Sequence, residues 1–328
     1  MASYWFQPQS VTFDVGGRPM TLETGRMAKQ ASGAVVVTYG DTVVLVTCVT
    51  AKAREGIDFL PLTVDFVEKT SAAGKIPGGF FKREGRLSDR EVLVSRFIDR
   101  SVRPLFAEGW RDETQITATV LPAFVGASAA LHLSDAPFLG PIGAVRVGRV
   151  DGKWVVNPLK SQLEQSDVEL VVAGSRNALV MVEGGARQVP EAEILEALRF
   201  GHAELLGQLE PQEELRRLAG KAKREPAPPP DTSALQARIR ERVGARLAEA
   251  VRIVEKKERY AKIAEIEKET VDALAEEYRT APVSLDSLAA VEERRAGLQA
   301  LVSQAKNILH DLRSELMRER ILGEGTRI

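Results

Sequence analysis

From Val11 onward the chain alternates apolar and polar side chains with a period of two, the spacing of a strand with one buried face. Residues 11–15 and 20–24 flank Gly16-Gly17, and residues 34–39 and 42–50 flank Gly40-Asp41. Glycine accepts the positive φ of a tight turn, so both pairs predict antiparallel hairpins. One short helix is expected among the strands of residues 11–70. Residues 69–86 hold Gly74, Gly78, Gly79 and Gly85 without any alternation and read as a loop. Ser88-Asp89-Arg90-Glu91 then has the form of a capping box, and Arg103-Pro104 stops the helix that it starts after about four turns. Strand pattern returns at 115–121. A helix over 125–133 follows, in which Gly126, Ala127, Ser128, Ala129 and Ala130 allow close packing on a sheet. Two further hairpins pair 143–149 with 153–157 around Asp151-Gly152, and 168–174 with 178–183. A helix over 190–209 closes this part. Hairpins mixed with helices predict an α+β domain over residues 1–215.

The pattern then changes. Residues 216–231 include Pro226, Pro228, Pro229 and Pro230 and read as a stiff polyproline-type linker. Beyond it Leu235, Ile239, Val243, Leu247 and Val251 recur every four residues, and Leu298, Leu301, Ile308, Leu309, Leu312 and Leu316 mark a second helical stripe. Residues 232–322 are therefore expected to form an all-α bundle. Between Leu235 and Thr280 there are 11 Lys or Arg and 10 Asp or Glu. This near balance predicts interleaved i,i+4 pairs on a scaffold face and not a single-sign polyanion surface.

Composition sharpens this picture in three respects. At 328 residues the chain exceeds what one hydrophobic core usually supports, in keeping with two domains. Lys plus Arg number 45 and Asp plus Glu 46, so a polyanion partner requires a local cluster. The single cysteine, Cys48, rules out an intrachain disulfide framework and favours a reducing compartment. With no secretory leader pattern at the start and no run of about 18 apolar residues, a cytoplasmic protein with no membrane partner is expected.

The charge asymmetry lies between residues 71 and 104. Lys75, Lys82, Arg83, Arg86, Arg90, Arg96, Arg100 and Arg103 stand against Glu84, Asp89, Glu91 and Asp99. Arg96, Arg100 and Arg103 are spaced to share one helix face, while Leu93, Phe97 and Ile98 are placed for the core. Three guanidiniums in a row suit phosphates; the alternative is a solvated face paired with Asp89 and Asp99. Just upstream, Gly78-Gly79-Phe80-Phe81-Lys82-Arg83 sets two aromatics beside two cations in a glycine-rich loop. Single-stranded nucleic acid asks for that combination, a face for a base and a charge for the backbone; the alternative is that one phenylalanine anchors the loop. Phe80, Phe81, Lys82, Arg83, Arg86, Arg96, Arg100 and Arg103 are thus the candidate RNA-binding residues. His132, His202 and His310 have no second ligand at metal spacing and read as packing or surface residues. Neither Gly16-Gly17 nor Gly78-Gly79 has the spacing of a dinucleotide or P-loop site.

Several of these segments also carry a resemblance: residues 59–64 (FLPLTV), 72–78 (AAGKIPG), 80–86 (FFKREGR) and 98–106 (IDRSVRPLF), with Gly126-Ala127-Ser128-Ala129-Ala130, Gly140-Pro141-Ile142-Gly143-Ala144, Leu170-Val171-Val172-Ala173-Gly174 and Lys257-Glu258-Arg259-Tyr260. Across nearly its whole length the chain resembles the first half of the bacterial polynucleotide phosphorylase family. The resemblance implies a first RNase PH-like core, an all-helical domain, and at residues 323–328 the start of a connector to a second core. It implies 3′-to-5′ phosphorolysis of RNA to nucleoside diphosphates in mRNA decay, with inorganic phosphate as co-substrate. It also implies magnesium held in the second core, a homotrimeric ring in the full-length protein, and association with RNA-decay machinery. In this copy Gly185 follows Glu183 where the resemblance leads one to expect a lysine, and no serine-rich phosphate loop is visible. No catalytic residue and no metal ligand are expected here, and ring assembly and RNA guidance are the implied roles. A non-enzymatic RNA-binding and assembly module is the alternative.

Overall fold

A computed structural model describes residues 8–53, 57, 59–69, 74–75, 87–118, 123–226, 228, 230–282 and 288–326. The chain divides into two compact units, residues 1–228 and 229–328.

In the first unit the glycine pairs make the turns that the sequence predicts. Strands β1 (Gln9–Val15) and β2 (Arg18–Thr24) join through Gly16 and Gly17, both at positive φ, and β3 (Gly33–Tyr39) pairs with β4 (Thr42–Ala51). No helix lies between β2 and β3. Gly25 and Ala28 both take positive φ there, which breaks a helical turn and leaves a chain of bends. With β5 (Leu62–Phe66) and β6 (Glu113–Ala118) these strands form a six-stranded sheet in the order β1-β2-β3-β4-β6-β5, antiparallel except for the β5–β6 pair. A second, antiparallel sheet has the order β10-β9-β7-β8, built from β7 (Gly143–Val150), β8 (Lys153–Val156), β9 (Val168–Gly174) and β10 (Leu179–Ala186).

Helix α1 (Asp89–Val102) packs on β5 and β10, and α2 (Ala123–Leu133) packs on β3 and β4. All eleven residues of α2 are buried. A β-carbon at Gly126 would run into the side chains of Val37 and Val46, so the small-residue pattern seen in the sequence is what lets this helix approach the sheet. After a single turn, α3 (Lys160–Leu163), the segment expected to be one helix over 190–209 is α4 (Glu191–Leu205), a 3-10 turn and α5 (Leu209–Ala219). The break is explained by Pro211, which lacks an N–H and is tolerated in the first turn of α5 but not within a continuous helix. Gln208 at this break is fully buried, its side chain bonded to both the N–H and the carbonyl of Ala144.

Part of the stretch read as linker belongs to the first unit. The backbone N–H of Lys221 donates to Leu133 O and that of Arg224 to Asp135 O. Lys223 Nζ donates to Leu131 O and Ser134 O, both at 2.8 Å, capping the C-terminal end of α2. Arg224 lies over the Trp110 ring at 4.6 Å and pairs with Asp112 at 2.6 Å and Asp135 at 2.9 Å.

The second unit contains α6 (Ser233–Ala250), α7 (Lys256–Thr280) and α8 (Leu288–Glu324), the last of 37 residues and so roughly 55 Å long at 1.5 Å per residue. Ile239, Val243 and Leu247 of the predicted stripe meet Ile263, Ile266, Leu274, Ile308, Leu309 and Leu312 in one core. The balanced charges are used mainly between helices, not within them. Arg238 and Arg242 both pair with Glu277, Arg246 with Glu269, Arg313 with Glu267 and Arg240 with Glu315.

Burial pushes the Cys48 thiol up from its ordinary 9.0 to about 12, against a hydrogen bond to Ser134. Burial, with Arg216 adding repulsion, pulls the Lys223 ammonium down from 10.5 to about 8. Between about pH 8 and 10.5 the unfolded chain keeps a proton on Lys223 that the folded chain has released, so this group makes stability rise with pH. Between about pH 9 and 12 the folded chain keeps the Cys48 proton that the unfolded chain has lost, so stability falls with pH. Unfolding free energy measured by denaturant titration is therefore expected to climb from pH 8 to 9 and to fall above 10.5. Lys223→Met should remove the climb and Cys48→Ala the fall; unchanged profiles in both variants would reject the assignment.

Candidate nucleic-acid interface

Helix α1 is anchored before it can present its cations. Ser88 accepts from Glu91 N, and the Glu91 carboxylate accepts from Ser88 N at 2.6 Å, Ser88 Oγ at 2.7 Å and Glu68 N at 2.8 Å. Burial alone would raise the Glu91 carboxyl, but these donors hold it below the ordinary value. One turn later Ser95 Oγ accepts from Phe66 N at 2.8 Å and fastens the helix to β5. Ile98 and Val102 are fully buried, whereas Leu93, placed by spacing in the core, is half exposed.

The three arginines of this helix separate by role. Arg96 is exposed and has no partner among the described residues. Arg100 donates to Glu183 Oε2 at 2.9 Å and Val182 O at 2.7 Å, tying α1 to β10. Arg103 lies in the 3-10 turn past the helix end, where it forks onto Asp99 at 2.9 and 2.7 Å and reaches the carbonyls of Leu60 and Leu62. The paired alternative weighed from the sequence thus describes Arg103, with Asp99 as its partner. Phe80, Phe81, Lys82, Arg83 and Arg86 lie outside the described residues.

A cleft of about 710 Å³ opens between the two sheets, closed on its sides by α1 and the start of α2. Arg18, Arg90, Arg146 and Lys160 line it, with Glu169 as the carboxylate. Arg18 lies over the Tyr39 ring at 4.5 Å and donates to Asn157 O at 2.7 Å. Asn157, held at φ +48°, accepts from Arg146 N through Oδ1 and donates to Tyr39 Oη at 3.3 Å. Arg146 Nε is 3.6 Å from Glu169, Arg90 is 3.7 Å from Glu68, and Lys160 has no partner among the described residues. Apart from Arg90, which was counted in the cationic run of residues 71–104 but not among the candidates, these residues were missed in the sequence because they come from distant segments outside that run. The Asn157-Pro158 turn signal was the one visible trace.

Glu183 does not line this cleft, being held by Arg100. On β9, whose side chains do line it, Glu169 is followed two residues later by Val171. No three His, Cys, Asp or Glu side chains among the described residues are grouped to hold a metal. His132 is buried, bonded through Nε2 to Glu213 at 3.0 Å, and burial lowers its pKa. His202 is bonded to Ser175 O, and His310 is exposed beside Asp311.

The folded elements coincide with three family models. The 3′ exoribonuclease family, domain 1, matches residues 16–137, and domain 2 of the same family matches 140–204. The RNA binding domain of polyribonucleotide nucleotidyltransferase matches 234–328. The chain belongs to the 3′ exoribonuclease family. Within this family it has the domain order of the first half of bacterial polyribonucleotide nucleotidyltransferase. The Geobacter sulfurreducens protein of that name is 51% identical over 97% of this chain, and that of Anaeromyxobacter sp. strain K 45% identical over 98%. These matches take in 44% and 45% of the relatives, so the chain spans less than half of their length. The rice Rrp46 structure is similar at TM-score 0.47 and 16% identity, over 61% of this chain and 93% of that one. The fold is the α+β RNase PH-like core that the sequence led us to expect, followed by a helical unit.

The capping box makes the placement of α1 testable. Ser88→Ala is expected to lower the unfolding free energy by about 1 kcal/mol in denaturant titration. Glu91→Ala is expected to cost more, since it also frees the partly buried N–H of Glu68 from its acceptor.

Proposed function

We propose that this chain is the RNA-guiding and ring-building half of a cytoplasmic 3′-to-5′ phosphorolytic exoribonuclease, and that bond cleavage takes place in a second core. The observation that carries this reading is the cleft, whose described lining holds four cations and one carboxylate. Such a lining suits the backbone of a polyanion, which is attracted by cations and releases its counterions on binding. It does not suit magnesium, whose sites are built on carboxylates, because among the described residues Glu169 is the cleft's one acid and sits beside Arg146. In this proposal no metal-assisted step takes place in this half. Inorganic phosphate as co-substrate and a magnesium ion belong, in this proposal, to the second core.

Single-stranded RNA approaches through Phe80, Phe81, Lys82, Arg83 and Arg86, with Arg96 as the free cation of α1. The aromatics take bases without regard to sequence, as an exonuclease requires, and the cations follow the backbone. Arg100 and Arg103 serve this surface indirectly, by fixing α1 against β10 and the entry to β5. Exposed apolar residues of the first unit, including Val43, Val49, Phe59 and Leu139, are in keeping with subunit contacts in a homotrimeric ring. Association with RNA-decay machinery would follow from the same activity.

Three measurements test the proposal. The chain incubated with RNA, phosphate and magnesium is expected to release no nucleoside diphosphate, and robust release would overturn the non-catalytic assignment. Phe80→Ala and Phe81→Ala should each weaken single-stranded RNA binding by about 1 to 3 kcal/mol with little change in salt dependence. Lys82→Ala, Arg83→Ala and Arg96→Ala should instead reduce the salt slope by roughly 0.7 for each phosphate that is no longer neutralised, and indifference of RNA affinity to both sets would remove the guidance role. Finally, sedimentation at tens of micromolar, an order of magnitude suited to weak interfaces, should show self-association; a strict monomer would count against ring building.

A further inference from the structure

Within the helical unit a second concavity, of about 230 Å³, lies where the end of α7 meets the early turns of α8. Tyr278, Val291 and Leu298 supply its apolar surface, and Arg279, Arg294 and Arg295 its polar one; among the described residues no carboxylate lines it. In a unit whose other arginines so often meet glutamates, this concentration of guanidiniums stands apart.

The three arginines are not equivalent. Arg294 is part of the fold: its Nη2 donates to the carbonyls of Tyr278, Arg279 and Ala281, closing the C-terminal end of α7, and its guanidinium lies 5.6 Å from the Tyr278 ring centroid. Among the described residues the Arg279 side chain meets Glu276 alone, in an exposed i,i+3 pair at 3.2 Å that contributes little and is readily exchanged. Arg295 is exposed and has no partner among the described residues. The Tyr278 ring is seated by Gly297, where any β-carbon would collide with the phenol oxygen. An aromatic ring fixed by packing, two apolar side chains and two available guanidiniums therefore share one small surface. The volume is below the roughly 300 to 1,000 Å³ of sites that enclose a whole small molecule, and suits one unit of a longer chain.

We propose that this surface on α7 and α8 binds one nucleotide of single-stranded RNA, its base against Tyr278, Val291 and Leu298 and its phosphate on Arg279 and Arg295. The proposal rests on the RNA-guiding role above and adds to it a binding point in the helical unit, remote in sequence from Phe80 and Phe81. Arginine is suited to both halves of the task, since its planar guanidinium forks onto phosphate oxygens and stacks on bases.

The test uses the whole chain and a 4-thiouridine-containing oligonucleotide, read by fluorescence anisotropy and by ultraviolet crosslinking with peptide mapping. The double variant Arg279→Ala/Arg295→Ala is expected to bind about tenfold more weakly. Its salt slope should fall by about 0.7, the share of the one phosphate that no arginine then neutralises. The crosslink to the peptide that contains Tyr278 should also disappear. Arg295→Glu, at a side chain that supports no other residue, should act in the same direction with an unchanged circular dichroism spectrum. If the unmodified chain binds RNA but neither variant changes affinity or crosslink, this site is refuted while the guiding role stands. If the unmodified chain binds no RNA, both fail together. If adenosine monophosphate alone binds here as tightly as the oligonucleotide, the ligand is a free nucleotide and the RNA assignment is overturned.

Discussion

The close approach of α2 to the large sheet is the constraint from which the first unit is built. A helix buried along all eleven residues has no solvent face, so each of its neighbours must be a packed surface: β3, β4 and β6 of one sheet, β7 of the other, and α5. Gly126 sets the distance to β3 and β4, and at Gly33 a β-carbon would strike the carbonyl of Ala130. Both close approaches depend on the absence of a side chain, one on the helix and one on the strand. Burial on all sides also means that the last carbonyls of α2 need donors from the protein itself. Lys223 supplies their donors from a distant segment of the chain, and it accepts a depressed pKa in doing so. The position of the chain as it leaves α5 is thus a consequence of how α2 is buried.

The local features of this fold were legible because they depend on neighbours in sequence. The turns at Gly16-Gly17, Gly40-Asp41 and Asp151-Gly152, the capping box at Ser88 and Glu91, and the four-residue stripe from Leu235 to Val251 each state a backbone conformation or a buried face within a few positions. What stayed hidden depends on contacts across the fold. The 190–209 helix pattern continues without interruption in apolar periodicity, and only Pro211 with the buried amide of Gln208 breaks it. Residues 221–224 carry three cations and look like solvated linker, yet they are held by carbonyls and carboxylates of α2 and its surroundings. A linker composition describes where a chain is permitted to be free, and tertiary hydrogen bonds decide whether it is.

The same division applies to the candidate site. The cationic run between residues 71 and 104 was visible as a count, but a count does not separate arginines that hold the fold from those that face a ligand. Arg103 is saturated by Asp99 and two backbone carbonyls, and Arg100 by Glu183 and one carbonyl, while Arg96 alone of the three is free among the described residues. The cleft reverses the problem: Arg18, Arg146 and Lys160 lie outside the visible run and join its Arg90 only through the sheet topology.

Partnering therefore distinguishes the two uses of positive charge in this molecule. In the helical unit Arg238, Arg242, Arg246 and Arg240 face glutamates of neighbouring helices, and such pairs screen each other and leave little field for a third charge. In the cleft, Arg146 meets Glu169 at 3.6 Å and Arg90 meets Glu68 at 3.7 Å, both longer than a tight hydrogen-bonded pair, while Arg18 and Lys160 have no carboxylate partner among the described residues. A cluster of this kind gains nothing for folding from its own repulsion, and it is relieved by an anion arriving from outside. The contrast separates two kinds of surface without reference to any single motif: in one the fold pairs its arginines with glutamates of the next helix, and in the other it gathers cations around fewer carboxylates.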